Sequence, residues 1–243
     1  MSVSALRAGY IPSFDITSSV DPLATLTGML ATGAYSATVV GPLLSLQWAD
    51  FVPRFPRTRF VLVDAPPPGT GAPPNAVFLT FDRTAAFRQA GRAAGKTLAT
   101  GSASEAVAGI LSSEASGLTP QESDAFARGV ADVHSGALPI EQTLAASADP
   151  KDIRAAVAQM RSEGVTIFLL GLGERDPDGL EAVRDAGARA VVSDWQSSRA
   201  LPSAVVASVE EDVTAGIRLA LRALRAGTPR VAGPVSVVGG KKI

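Results

Sequence analysis

The stretch Val165–Ser197, VTIFLLGLGERDPDGLEAVRDAGARAVVSDWQS, contains a whole α/β unit. The run Val165–Leu170, apolar except for Thr166, reads as a buried strand of the kind found in parallel sheets. A Gly-rich turn, Gly171–Gly179, follows, then a helix with apolar positions Leu180, Val183 and Ala186, and a second strand, Ala190–Val192, ending in Ser193-Asp194-Trp195. Ligands of open parallel sheets lie outside the carboxyl ends of the strands, so the turn after Leu170 and the Asp194-Trp195 pair are expected to face one crevice. There the acid offers a hydrogen-bond acceptor and the indole a stacking face.

The flanking sequence repeats this alternation. The order from the N-terminus is a short strand Leu6–Pro12, a polar loop, and a helix capped by Asp21-Pro22 with Leu23, Leu26 and Leu30 at helical spacing. Strand Ala37–Val40 precedes a helix over Leu43–Val52 that carries Trp48 and Phe51, and strand Phe60–Val63 precedes a Pro/Gly-rich loop, Asp64–Pro74. Asn75–Phe81 is a strand, Asp82 caps the helix Arg83–Leu98, and Ala106–Leu111 is a strand opening onto Ser112–Gly117. Thr119-Pro-Gln-Glu122 has capping-box spacing, Leu138–Leu144 is extended, and Asp149-Pro150 caps a helix reaching Glu163. Strand Ala204–Ser208, helix Val213–Ala226 and a final strand Gly233–Val238 complete the chain. Alternating strands and helices imply parallel, right-handed crossovers, an α/β fold.

The 243 residues are 46% apolar and 19% charged, an ordinary globular composition large enough for a real core. A net charge of −1, with no basic cluster beyond Lys241-Lys242, gives no reason to expect nucleic acid. With no cysteine, disulfides, thiolate chemistry and Cys/His zinc sites are excluded. The single histidine, His134, reads as a solvated residue in the loop after a helix and shows no positioned nucleophile. No apolar run reaches the ~18 residues of a membrane span, and no export signal opens the chain.

Two near-motifs dissolve in context. Gly91–Thr97, GRAAGKT, comes within one glycine of a phosphate-binding loop but lies inside a helix, so its small residues read as a packing face. Gly171-Leu-Gly173 follows a strand like a dinucleotide fingerprint, but Asp176 occupies the third glycine position and would face the pyrophosphate. Asp176 and Asp178 read as turn formers, and Glu210-Glu211-Asp212 as complements to a helix dipole. No cofactor or metal is implied. Trp195 serves ligand stacking and core packing equally well on this reading, whereas Leu44, Trp48 and Phe51 make a plausible buried helical face.

The order of several segments resembles the basic membrane protein family, the purine-nucleoside-receptor type of ABC-transporter substrate-binding protein. Gly33–Val40, GAYSATVV, stands where the family has "gyDlIi", and Phe55–Asp64, FPRTRFVLVD, where it has "yPd..FvliD". Asn75–Phe81, NAVFLTF, is similar to "NV.sv.F", Ala90-Gly91 to "laG..A", and Phe126–Gly129 to "F..Gf". Val192-Ser-Asp194 is similar to "iGvD" and Val206–Val209 to "vltSv". The resemblance implies a two-lobed type I periplasmic-binding-protein fold, with residues 1–100 plus 209–230 as one lobe and 101–208 plus 231–243 as the other. It implies a ligand held between lobes that close on it, at Trp48, Phe81, Asp82, Ser113, Glu114, Ser116, Gly171, Gly173, Asp194 and Trp195. It further implies an ABC permease as partner and a periplasmic or membrane-anchored, lipoprotein-like extracytoplasmic location, and a homodimer is an open expectation.

Two departures from the family bear on the ligand. The family opens with a βα unit carrying an Asp and a Phe, and this chain begins one unit later, so part of the first lobe's site is either missing or rebuilt by Tyr10–Asp15. The family's "SvvK" lysine is replaced by Glu211, whose charge is wrong for donating to a ribose or purine acceptor. The expectation is therefore a non-catalytic binding protein for a nucleoside-like or other small polar or aromatic solute. Two alternatives stand beside it: a degenerate binding domain with an interaction or regulatory role, and an open α/β enzyme using Asp/Glu chemistry.

Overall fold

The computed structural model describes residues 21–65, 72–100, 106–114, 118–134, 138–193 and 199–239. The chain divides into two compact units, one comprising residues up to Asp82 with Glu211–Pro234, the other Arg83–Glu210 with residues from Val235 onward. The chain passes from one unit to the other three times.

In the first unit, helix α1 (Pro22–Ala31) is started by Asp21, whose carboxylate accepts from the Ala24 N–H at 2.9 Å. Strands β1 (Ala37–Val40), β2 (Arg59–Val63) and β3 (Ala76–Thr80) form a parallel sheet in that order, and β9 (Arg230–Ala232) pairs in parallel with β3. Alternation decides what each face buries. Val61, Val63, Val77 and Leu79 pack on helix α8 (Val213–Ala226), while Phe60, Leu62, Ala76 and Phe78 pack against α1 and the Leu44–Val52 segment. That segment is not the single helix that its apolar spacing predicts. It forms two one-turn helices, α2 (Pro42–Ser45) and α3 (Trp48–Phe51), then a 3-10 turn, Val52–Arg54. The buried Ser45 hydroxyl donates back to the Val40 carbonyl at 2.8 Å, and Pro53 removes a donor from any continuation.

The second unit carries a six-stranded sheet, ordered β10-β8-β7-β6-β4-β5. Its strands are β4 (Val107–Ser113), β5 (Ile140–Leu144), β6 (Val165–Gly171), β7 (Arg189–Val192), β8 (Val205–Glu211) and β10 (Val235–Gly239), and every pair from β5 to β8 is parallel. Helices α4 (Thr84–Thr100) and α5 (Pro120–Ala131) cover one face; α6 (Pro150–Ser162) and α7 (Asp176–Asp185) cover the other. The expected last strand, Gly233–Val238, begins two residues later as β10 in the second sheet, and β9, not expected from the sequence, precedes it in the first.

The sequence places α4 in the first lobe; the structure places it in the second unit, because α4 and α5 approach backbone to backbone. A Cβ at Gly91 would collide with the Phe126 carbonyl oxygen, one at Gly95 with that of Val130, and one at Gly129 with that of Arg88. The near-phosphate motif is thus a packing face. Polar pairs lock the same helices. Arg83 Nε and Nη2 donate to the two Glu122 carboxylate oxygens at 2.6 and 3.1 Å, and Glu122 also completes a capping box with Thr119.

At the far end of α5, Arg88 and Arg92 both donate through Nε to Asp132 Oδ2, at 3.0 and 2.8 Å, and Arg88 Nη2 donates to Oδ1. These hydrogen bonds, Arg88's first and Arg92's second, hold the Asp132 carboxyl at about 2, below its ordinary 3.8. A carboxyl depressed on folding stabilises the protein above its unfolded value and loses that contribution as the pH falls toward the folded one. Asp132→Asn is therefore less stable than wild type at pH 6, and the difference closes as the pH is lowered from about 4 to about 2. A carboxyl titration followed by NMR with a midpoint at the ordinary value would contradict this.

The glycine-rich turn after β6 is shorter than its composition predicts. A 3-10 turn, Gly173–Arg175, leads into α7 at Asp176, and the buried Asp176 carboxylate accepts from the Leu172 N–H at 2.7 Å. Asp176→Ala leaves that buried N–H without its acceptor and is expected to cost about 1–3 kcal/mol in urea unfolding. A change near zero would mean that water replaces the carboxylate.

Candidate functional site

Parallel pairing brings the ends of β4, β5 and β6 side by side. The register sets Ser112 opposite Gly171 on one neighbour and opposite Thr143 on the other, and the Ser112 and Thr143 hydroxyls share a hydrogen bond of 3.0 Å. One step beyond the sheet, the Glu114 N–H donates to the Leu144 carbonyl at 3.0 Å, and Glu114 Oε2 accepts from the Ala146 N–H at 3.4 Å. Glu114 thus ties the loop after β5 to the end of β4.

A concavity of about 270 Å³ opens at this rim. One wall is the loop after β5, with Leu144, Ala145, Ala146 and Ala148. Ile153, in the first turn of α6, and Leu172, just past β6, add apolar surface. Its polar groups are Ser113, Glu174 and Arg175. Asp149 caps α6 beside it, accepting from the Lys151 and Asp152 N–H groups at 2.7 and 3.0 Å, so those helix-terminal donors are already occupied. Arg175 is half exposed and reaches Asp178 only at 3.6 Å, while Glu174 is exposed and makes no hydrogen bond or ion pair among the described residues.

Of the residues that the sequence puts in a site, Ser113, Glu114, Gly171 and Gly173 come together here. Ser113 lines the concavity and Glu114 fixes its wall. Gly173 has φ +64°, a left-handed conformation that glycine adopts without strain and that turns the chain from β6 into the 3-10 segment. Gly171 is less available than expected, because the Leu118 side chain fills the space beside its Cα.

Trp48, Phe81 and Asp82 belong to the first unit. Trp48 packs edge-on against Phe78, with ring centroids 5.5 Å apart, as the buried-face reading expects. Phe81 packs with the α8 cluster, where its ring occupies the space that side chains at Gly216 and Gly233 would need. The two aromatic rings therefore serve opposite faces of the first sheet. Asp82 is exposed at the crossing into the second unit. Ser116, Asp194 and Trp195 lie outside the described residues, as do Leu6–Pro12 and Tyr10–Asp15.

Sequence reasoning missed Glu174, Arg175 and the Ala145–Ala148 wall. The available signal was topological: once Ile140–Leu144 is a strand parallel to β4, the loop after it must lie at the same rim as Ser113.

The histidine lies elsewhere. His134 follows the C-terminal end of α5, which runs back from the carboxyl ends of the strands to their amino ends before β5 begins. Among the described residues, no three His, Asp or Glu side chains gather to hold a metal ion, and no helix is long and apolar enough to cross a membrane.

No protein-family model matches the chain, and none of the curated proteins does. Solved structures are similar to it over nearly its whole length. An ABC transporter solute-binding protein from Aeropyrum pernix K1 has a TM-score of 0.75 at 18% identity, over 97% of this chain and 69% of that one. The Caulobacter myo-inositol binding protein, bound to myo-inositol, has a TM-score of 0.67 at 17% identity, over 98% and 85%. A probable LacI family transcriptional regulator from Corynebacterium glutamicum has a TM-score of 0.66 at 15% identity, over 100% and 91%. Likeness at these identities speaks to architecture, and with parallel sheets covered by helices the chain has a type I periplasmic-binding-protein-like α/β fold.

Proposed function

We propose that the chain is a non-catalytic binding protein for a small solute, nucleoside-like or otherwise small and polar or aromatic, taken at the strand-carboxyl rim of the second unit. The observation that carries this reading is the concavity at the ends of β4, β5 and β6, which combines apolar walls with Ser113, Glu174 and Arg175. From the sequence, Asp194 is expected to add an acceptor and Trp195 a stacking face; both lie outside the described residues. The solute-binding roles of the structural neighbours from Aeropyrum pernix and Caulobacter support the reading. On this reading the chain works outside the cytoplasm, periplasmic or membrane-anchored, delivers solute to an ABC permease, and acts alone or as a homodimer. A second reading, the solute-sensing domain of a regulator, is favoured by the likeness to the LacI family protein.

Thermal unfolding against nucleosides, nucleobases, sugars and amino acids tests the proposal. A ligand at ~100 times its dissociation constant adds about 2.7 kcal/mol to stability. One chemical class is expected to raise the midpoint, and Asp194→Ala to abolish that rise while leaving the unliganded midpoint in place. A rise that survives Asp194→Ala would remove Asp194 from the site, and no rise with any class would count against solute binding.

A further inference from the structure

The chemistry of the concavity is narrower than the proposed function requires. Among its described lining residues there is no aromatic ring on which a purine or the apolar side of a sugar would stack. Six of its nine described lining residues are aliphatic. The other three are one hydroxyl, one carboxylate and one guanidinium, and the two charged residues are adjacent in sequence, Glu174 and Arg175.

Both charges are open to a ligand. Arg175 has only the distant Asp178 as partner, at 3.6 Å, and Glu174 has none among the described residues. The α6 amides cannot take over the anion, because Asp149 already occupies them. The rim is also held firmly. The buried Asp176 carboxylate accepts from the Leu172 N–H at 2.7 Å, and Glu114 accepts from the Ala146 N–H at 3.4 Å, so each wall has a hydrogen bond that does not depend on ligand.

Resting on the small-solute reading, we infer that this concavity takes a zwitterion with an aliphatic body, an α-amino acid of the leucine type. Arg175 pairs with its carboxylate, Glu174 with its ammonium, and the Ala145–Ala148 loop, Ile153 and Leu172 receive its side chain. A volume of about 270 Å³, just below the ~300–1,000 Å³ of pockets for drug-sized ligands, suits a small solute of this kind.

Titration calorimetry of the whole chain with L-leucine tests this, with adenosine and myo-inositol run in parallel. L-Leucine is expected to bind. Isoamylamine and 4-methylpentanoate, each lacking one of the two charges, are expected to bind about ten-fold more weakly or worse, as is L-leucine to Glu174→Gln or Arg175→Gln. Both substituted residues are exposed and support no core contact, so unchanged unfolding curves are expected for the unliganded variants. Binding of adenosine or myo-inositol without binding of L-leucine would overturn the zwitterion assignment while leaving small-solute binding intact. L-Leucine binding that neither substitution weakens would overturn the site, and silence from all three compounds would count against both.

Discussion

Parallel strand pairing is the constraint from which the rest follows. A parallel strand cannot return by a tight turn, so each crossover must travel back along a face of the sheet, as a helix over most of its length. All strand ends of one sense then lie at one rim, and the loops that leave them are the chain's freest positions for polar groups. In the second unit this places Ser113, Glu114, the Ala145–Ala148 loop and the Gly173–Arg175 turn within one neighbourhood, though they are far apart in sequence. It also removes His134 from that neighbourhood, because a helix that starts at the rim ends away from it.

The return helices need room, and glycine supplies it. Gly91, Gly95 and Gly129 let α4 and α5 meet backbone to backbone over one face of the second sheet, with the Arg83–Glu122 and Arg88/Arg92–Asp132 pairs at the two ends of the contact. Glu122 has two tasks in this arrangement: it caps α5 as the third residue of a capping box, and its carboxylate receives Arg83 in bidentate geometry. A residue that satisfies local and long-range demands together is a sign of a consistent fold.

Much of this architecture was readable from residues alone, where one local rule governs. Buried runs such as Val165–Leu170 and Asn75–Phe81 gave strands, and Asp21, Thr119 and Asp149 gave helix starts that the side-chain hydrogen bonds bear out. Reading failed where tertiary context outweighed a local pattern. Apolar spacing over Leu43–Val52 suggested one helix, but the Ser45 hydroxyl and the fit over Phe60 and Phe78 break it into turns. Trp48 and Phe81 both stand among the expected ligand-facing residues, and the odd and even alternation of β2 and β3 shows that they serve opposite faces. The charged pair Glu174-Arg175 carried no motif; its significance comes from the cavity wall that β5 supplies thirty residues earlier in the chain.

The central claim is positional: a small solute is read at the carboxyl-end rim of the second unit. Backbone amide shifts in an ¹H–¹⁵N spectrum, recorded as L-leucine, adenosine and myo-inositol are added in turn, test it most directly. The account predicts that whichever compound binds perturbs Ser113, Glu114, Ala145, Ala146 and Leu172–Arg175, and leaves the amino-end residues Ala106, Gly164 and Gly187 in place. Shifts concentrated at those amino-end residues, with the rim unmoved, would contradict it.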